Sequence, residues 1–301
     1  MLKALRKRLI DLASDNRSGA AEILRMAVEI YDQAAAEFEG SPRSVASNDE
    51  AQAVLSEISQ ALLGAHGDMA PLFNLVRVTE QSSLSAGSAA ERLYAAARAA
   101  SRYAEFARAA ADTAARNMAG LIPNGARILT HSRSSTVAAA FRAAHLGGKA
   151  LELIATESRP ICEGRILAQD MAALGIRVSL IADAAVALFM DSVDLIVVGA
   201  DKVTPEGLTN KIGTYLIALA AGEAKKPVYA IADTSKFIAG GASPPRVRHD
   251  PDELWPAAPP EIQVANEYFE ETPLALLSGI VTEDGVLSPL EAAERAMRQQ
   301  V

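Results

Sequence analysis

Cysteine is almost missing from this 301-residue chain: Cys162 stands alone, which excludes an internal disulfide framework and any cysteine-rich zinc or iron–sulfur site. Histidine is scarce as well. His66, His131, His145 and His249 show neither HxH nor HxxxH spacing, so no metal site is expected. No run of about 18 apolar residues occurs, which predicts no membrane-spanning helix and no membrane partner. The opening MLKALRKRLIDLASD carries basic residues but no long apolar core or small-residue cleavage pattern, so it does not read as a secretory signal. A cytoplasmic protein is the expectation. Basic runs are absent too, and 29 Lys and Arg against 37 Asp and Glu leave a net charge of −8. A binder of phosphate backbones needs a basic face, so nucleic acid is not an expected partner. Basic residues can still gather in a pocket, which leaves a small anionic molecule open.

Aromatic residues make up only 5% of the chain although 50% of it is hydrophobic. Ala, Leu, Ile and Val therefore supply the apolar content, which suits close helix packing and parallel strands. The length predicts two domains. Residues 1–121 read as helical: Leu24, Ala27, Val28, Tyr31 and Ala34 recur at helical spacing, with Pro42 closing that segment. Ser47 with Glu50, and Ser88 with Glu91, form capping boxes that open two further helices. The second of these runs without Pro or Gly to Gly120 and carries a stripe of alanines, including Ala100, Ala104, Ala107, Ala111 and Ala114. From 122 to 301 the period changes. Strands are expected at 127–130, 150–155, 178–182, 195–198 and 228–231, with helices at 136–144, 165–174, 184–190 and 211–224 between them. This alternation predicts βαβ crossovers and a parallel sheet covered on both faces. Further strands are expected at 262–268 and 277–281, and a last helix at 289–299.

Ligands of open parallel α/β sheets bind outside the carboxyl ends of the strands. After the first strand comes Thr130-His131-Ser132-Arg133-Ser134-Ser135-Thr136, a hydroxyl-rich turn opening a helix, which suits a phosphate. Helix capping by Ser134 or Ser135 is the alternative. Neither GxGxxG nor GxxxxGK[ST] is present, so no nucleotide cofactor is expected. After the second strand, Arg159 and Arg165 stand near Glu157 and Glu163; the arginines either clamp a phosphate or pair with these carboxylates. Cys162 reads as a small packing residue or a nucleophile. After the fourth strand comes Gly199-Ala200-Asp201-Lys202 and then Asn210-Lys211. Asp201 is placed for general acid/base work, or for pairing with Lys202 or capping a turn. Asn210 and Lys211, at the expected start of the next helix, would hold a hydroxyl and an anionic group, or Asn210 is an ordinary N-cap.

Four segments, ILTHSRSS at 128–135, ESRPICEGR at 157–165, VVGADKV at 197–203 and NKIGTYLIALAAGEAKKPVYAIADTSKF at 210–237, resemble one family. It joins the alpha, beta and delta subunits of translation initiation factor 2B to the aldose–ketose isomerases of methylthioribose-1-phosphate and ribose-1,5-bisphosphate. The resemblance implies a helical amino-terminal domain on a Rossmann-like carboxyl domain, in homodimers or assemblies of dimers. Arg17-Ser18-Gly19-Ala20 is similar to the family's phosphate-contacting entry segment, which implies phosphate contacts by Arg17 and Gly19. Ser134, Ser135, Arg159, Asn210 and Lys211 would complete the pocket. In the isomerases a cysteine after the first strand works with the Asp of the GAD motif to move a proton between C1 and C2 of an opened sugar phosphate. Asp201 matches that Asp, and Ser132 stands at the cysteine position. A thiol ionises near about 8.5, far more readily than a serine hydroxyl, so the exchange slows such a transfer unless another group substitutes. The initiation-factor subunits also lack the cysteine, and there the fold serves assembly and the sensing of a sugar phosphate or nucleotide. Two functional readings result: a sugar-phosphate-binding protein of isomerase ancestry, and a regulatory subunit like the initiation factor 2B alpha chain.

Overall fold

The computed structural model describes residues 3–15, 18–39, 47–239 and 249–299. They divide into two compact units, one up to Ala109 and one from Ala110 onward. The division falls inside a single helix, whereas the change from helical to strand pattern comes after residue 121.

The first unit is helical: α1 (Lys3–Ala13), α2 (Ala20–Glu39), α3 (Asn48–His66), α4 (Ala70–Leu84) and the first part of α5 (Ala89–Leu121). Each helix turns an apolar stripe inward. Leu5, Leu9 and Leu12 of α1, Ile23, Ile30 and Tyr31 of α2, Leu55, Ile58 and Leu62 of α3, and Leu72 and Leu75 of α4 are all buried. Both capping boxes form. Ser47 accepts from the Glu50 backbone N–H at 3.2 Å while the Glu50 carboxylate accepts from Ser47 N at 3.2 Å, and Ser88 and Glu91 make the same exchange before α5.

The second unit is built on β1 (Ala126–Thr130), α6 (Ser135–Leu146), β2 (Leu151–Thr156), α7 (Gly164–Ala173), β3 (Arg177–Ile181), α8 (Val186–Phe189) and β4 (Leu195–Val198). The chain continues through β5 (Lys202–Val203), β6 (Gly207–Lys211), α9 (Thr214–Glu223), β7 (Val228–Ile231), β8 (Phe269–Pro273), β9 (Gly279–Thr282), β10 (Gly285–Leu287) and α10 (Pro289–Arg298). Seven strands make one sheet in the order β10-β9-β7-β4-β1-β2-β3. All its neighbours are parallel except β9 and β10. Alternate residues feed opposite faces. Ile128, Leu153, Val197 and Ile231 pack with α6, α7 and the end of α5. Leu129, Ile154, Ile196 and Ala230 pack with α9, α10 and the segment 181–193. A second sheet, antiparallel, runs β5-β6-β8.

The strand order reverses between β1 and β4, so the crevice at their carboxyl ends is the switch point where such sheets take ligands. Three expected elements differ. The helix expected at 211–224 starts only at Thr214, because Asn210 and Lys211 are held in the β6 ladder opposite Glu270 and Phe269 and Gly213 turns the chain with φ 108°. Asn210 is therefore a strand residue and not a helix cap. The helix expected at 184–190 is one turn, α8, between two 3₁₀ turns, since seven residues are too few to sustain a regular helix. The strand expected at 262–268 lies at 269–273, the stretch that β6 pairs with.

Candidate functional site at the carboxyl edge of the sheet

Polar side chains are buried at the carboxyl ends of β1 and β2, in the turns that begin with Thr130-His131-Ser132 and Thr156-Glu157-Ser158. His131, 2% exposed, follows β1; Thr156 ends β2 and Ser158 follows it, both fully buried. Their hydrogen bonds can be oriented from chemistry alone. The Ile212 carbonyl can only accept, so His131 Nε2 donates to it at 2.8 Å. Nδ1 of the neutral ring then accepts from the Thr156 hydroxyl at 2.6 Å. Thr156 in turn accepts from the Ser158 hydroxyl at 3.1 Å, and Ser158 accepts from the Ser132 backbone N–H at 2.8 Å. Burial lowers the His131 pKa below its ordinary value, which keeps the ring neutral as this chain requires. With both nitrogens engaged, His131 fixes the geometry of the edge.

The backbone here is held in an uncommon conformation. Ser132, Ser158 and Cys162 have φ of 66°, 65° and 58°, left-handed values that residues other than glycine adopt seldom and that collect at functional sites. Asp183 holds the second of these turns, accepting from Ser158 N and Arg159 N at 2.7 Å each.

The Ser132 hydroxyl donates to Glu163 Oε1 at 2.7 Å. The same carboxylate pairs with Lys211, whose Nζ lies 3.1 Å from Oε1 and 3.4 Å from Oε2. Lys211 is only 3% exposed at its side chain, and its ammonium stands 4.7 Å from the centre of the Tyr268 ring. Tyr268 stacks on His249 at 3.5 Å and donates its hydroxyl to Glu253. On the other side of the crevice Ser134 caps α6, its hydroxyl accepting from Val137 N at 3.3 Å. Gly199, after β4, is pressed against it: a Cβ there would lie 2.7 Å from Ser134 Cβ and 3.8 Å from Asn210 Oδ1. Asn210 donates to the Thr214 hydroxyl at 3.0 Å.

Ser132 and Lys211 meet on Glu163, and Ser134 and Asn210 flank Gly199, so the turn between β1 and α6 and the end of β6 come together around the switch point. Asp201 joins them through the backbone: its N–H donates to the Thr209 carbonyl at 2.9 Å, beside Asn210, and the residue is half-buried. Ser135 opens α6 on the exposed side. Arg159 is exposed and donates to the Leu254 carbonyl at 3.2 Å. Arg165 pairs with Glu157 at 2.6 Å, the local pairing. Cys162 directs its thiol to the Pro160 carbonyl at 3.6 Å. Arg17 lies outside the described residues. Gly19 is exposed in the helical unit, where its carbonyl accepts from Glu22 N and Ile23 N ahead of α2.

Sequence reasoning missed the central place of Glu163, read there only as a partner for a neighbouring arginine, and the role of His131. It also missed Glu270, which accepts from Gly213 N at 2.7 Å and Tyr215 N at 2.9 Å at the start of α9, and Lys236, buried and donating to the Ala200 carbonyl at 2.5 Å. Lys236 falls within the quoted segment 210–237, which was the available signal. Among the described residues no group of three or more His, Cys, Asp or Glu side chains is disposed to hold a metal ion.

A helical unit followed by a Rossmann-ordered sheet, with a buried polar cluster at the switch point, defines a protein of the doubly wound α/β class. Residues 14–289 match the model of the initiation factor 2 subunit family, and the chain belongs to that family. A ribose 1,5-bisphosphate isomerase of Archaeoglobus fulgidus is 40% identical over 174 residues, 56% of this chain and 56% of that protein. The chain thus spans little more than half the length of this isomerase. A protein of Pyrococcus abyssi named as eIF-2B subunit 2-like is 35% identical over 239 residues, 78% of this chain and 81% of that one. The solved structure of translation initiation factor eIF-2B from Pyrococcus horikoshii OT3 superposes with a TM-score of 0.82 at 28% identity, covering 96% of this chain and 98% of that one.

Proposed function

We propose that this chain binds a phosphorylated pentose at the carboxyl edge of its parallel sheet. The phosphate lies against the hydroxyl-rich turn that opens α6, Asn210 takes a sugar hydroxyl, and Asp201 is the group that would move a proton. The observation that carries this reading is the convergence of Ser132, Ser134, Asn210 and Lys211 on the switch point between β1 and β4. Ser132 does not replace a thiol. Its hydroxyl is already a donor to Glu163, and serine holds its proton far more firmly than cysteine. The protein therefore retains the sugar-phosphate site of an aldose–ketose isomerase with little of its turnover. Incubation with methylthioribose-1-phosphate and with ribose-1,5-bisphosphate, followed by NMR of the sugar carbons, tests this. Binding with slow or no conversion is expected, faster conversion in Ser132→Cys, and loss of any conversion in Asp201→Asn. Rapid conversion by the unaltered protein that survives Asp201→Asn contradicts it.

A second reading, a regulatory subunit acting in an assembly, is favoured by one surface. Helix α9 is apolar on all sides, and Leu216 and Leu219 on it are 69% and 45% exposed, as is Leu188 of the adjoining α8 at 84%. An all-round apolar helix belongs in an interior or an interface. We take this face to join two copies into a homodimer or an assembly of dimers in the cytoplasm. Light scattering of the unaltered protein and of Leu216→Glu is expected to show a dimer and a monomer; a monomer in both contradicts it. The two readings are compatible, since a dimer can hold a sugar phosphate in each copy.

A further inference from the structure

An anionic group on a ligand would be expected at two places along this edge: the Lys211 ammonium and the backbone N–H groups that open α9. Carboxylates of the chain already answer both. Glu163 holds Lys211 at 3.1 and 3.4 Å in a pair almost closed to solvent. Glu270, from β8, accepts at 2.7 and 2.9 Å from the N–H groups of Gly213 and Tyr215. The start of α6 differs, because the acceptor at its Val137 N–H is the neutral Ser134 hydroxyl. One side of the crevice is therefore capped at Ser134 by a neutral hydroxyl, with Glu163 reaching only Ser132 in the turn before it, and the other is neutralised by carboxylates from within.

We infer that the site selects a pentose bearing one phosphate over one bearing two, and that Glu163 sets this selectivity. The inference rests on the reading of this edge as a sugar-phosphate site. A second phosphate directed toward Lys211 meets a carboxylate first, and displacing that carboxylate separates a paired charge in a poorly solvated place. A hydroxyl or other uncharged group meets no such opposition, since the Glu163 carboxylate accepts hydrogen bonds. Glu163 thus selects by opposing the wrong ligand as much as by favouring the right one.

Calorimetric titration of the intact protein with ribose 1-phosphate, ribose 5-phosphate and ribose 1,5-bisphosphate tests the inference. The unaltered protein is expected to bind the bisphosphate no more tightly than the better of the two monophosphates. Glu163→Gln frees Lys211 and is expected to shift the preference toward the bisphosphate by at least about tenfold. Because that variant leaves a buried cation without its carboxylate, Glu270→Gln provides a second test. It keeps an acceptor for both N–H groups while removing the charge, and it shifts the ratio in the same direction by a smaller factor. A bisphosphate bound at least tenfold more tightly by the unaltered protein overturns the selectivity and leaves the sugar-phosphate reading standing. Unchanged ratios in folded Glu163→Gln and Glu270→Gln also overturn it. Failure of all three sugars to bind overturns both.

Discussion

In the helical unit the buried polar side chains form small clusters between helices: Tyr31 with Thr79 and Ser59, Ser59 with Glu80, and His66 with the Leu12 carbonyl. At the edge of the sheet the buried polar groups form one connected chain from the Ser132 N–H through Ser158, Thr156 and His131 to the Ile212 carbonyl, with the Ser132–Glu163–Lys211 cluster attached to it. Burial demands only that each polar group be satisfied. A network that also holds three left-handed residues does more than satisfy; it fixes the positions of groups relative to one another, which is what a binding site needs. The helical unit is organised by packing and the edge by hydrogen-bond geometry, and the two regions should fail under different perturbations.

The largest expected effect is at Gly164, where a Cβ would lie 1.9 Å from the Thr156 carbonyl oxygen. Neither atom can give way without moving β2 or the start of α7, so Gly164→Ala is expected to destabilise by about 3 kcal/mol or more, read by denaturant unfolding. Loss of the Ser132–Ser158 hydrogen bond should show in the same variant, since Ser158 lies beside the clash. An unfolding midpoint equal to that of the unaltered protein would contradict this packing.

Acid and alkali should separate the regions next. Burial raises the Tyr31 phenol to about 12 from 10.0, so the fold favours its neutral form. That contribution is complete below about pH 10 and is lost between pH 10 and 12, about 2 to 3 kcal/mol in all. Tyr31→Phe is expected to remove this alkaline decline. His131 has the opposite liability: its pKa is lowered from 6.5 by burial, so stability is full above that pH and falls as the pH drops below it. Protection of the amides around Ser132 and Ser158, measured by hydrogen exchange relative to the intrinsic rate at each pH, should therefore fall at acid pH before that of α3 and α4 does. The reverse order would break the comparison. The smallest effect is at the surface of the helical unit, where Ser88→Ala removes a cap and is expected to lower stability by about 1 kcal/mol with no change in sugar binding.

Strands buried on both faces were the most legible elements. Leu195–Val198 and Val228–Ile231 were expected at the bounds they occupy, because short apolar runs bounded by polar turns leave few alternatives. Strand β6 was not legible: Gly207-Leu208-Thr209-Asn210-Lys211 shows no alternation, and its partner β8 lies some sixty residues on. The apolar run beginning at Ile212 instead extended the helical reading back over Lys211. Much of the candidate site could be named from sequence, since Ser132, Ser134 and Asp201 sit in turns after strands, whereas Asn210, a strand residue, was named at the expected start of a helix and within the quoted segment 210–237. The pairing of Glu163 with Lys211 across 48 residues, and of Glu270 with the start of α9 across 57, are matters of tertiary placement that local patterns do not carry.

The carboxyl edge is proposed as a sugar-phosphate site whose Lys211 side is neutralised by Glu163. A crystal structure with ribose 1-phosphate bound tests that most directly. The phosphate is predicted against the start of α6, a sugar hydroxyl within hydrogen-bond distance of Asn210, and Glu163 still paired with Lys211. A phosphate on Lys211 with Glu163 swung away, or a sugar bound elsewhere on the molecule, would contradict it.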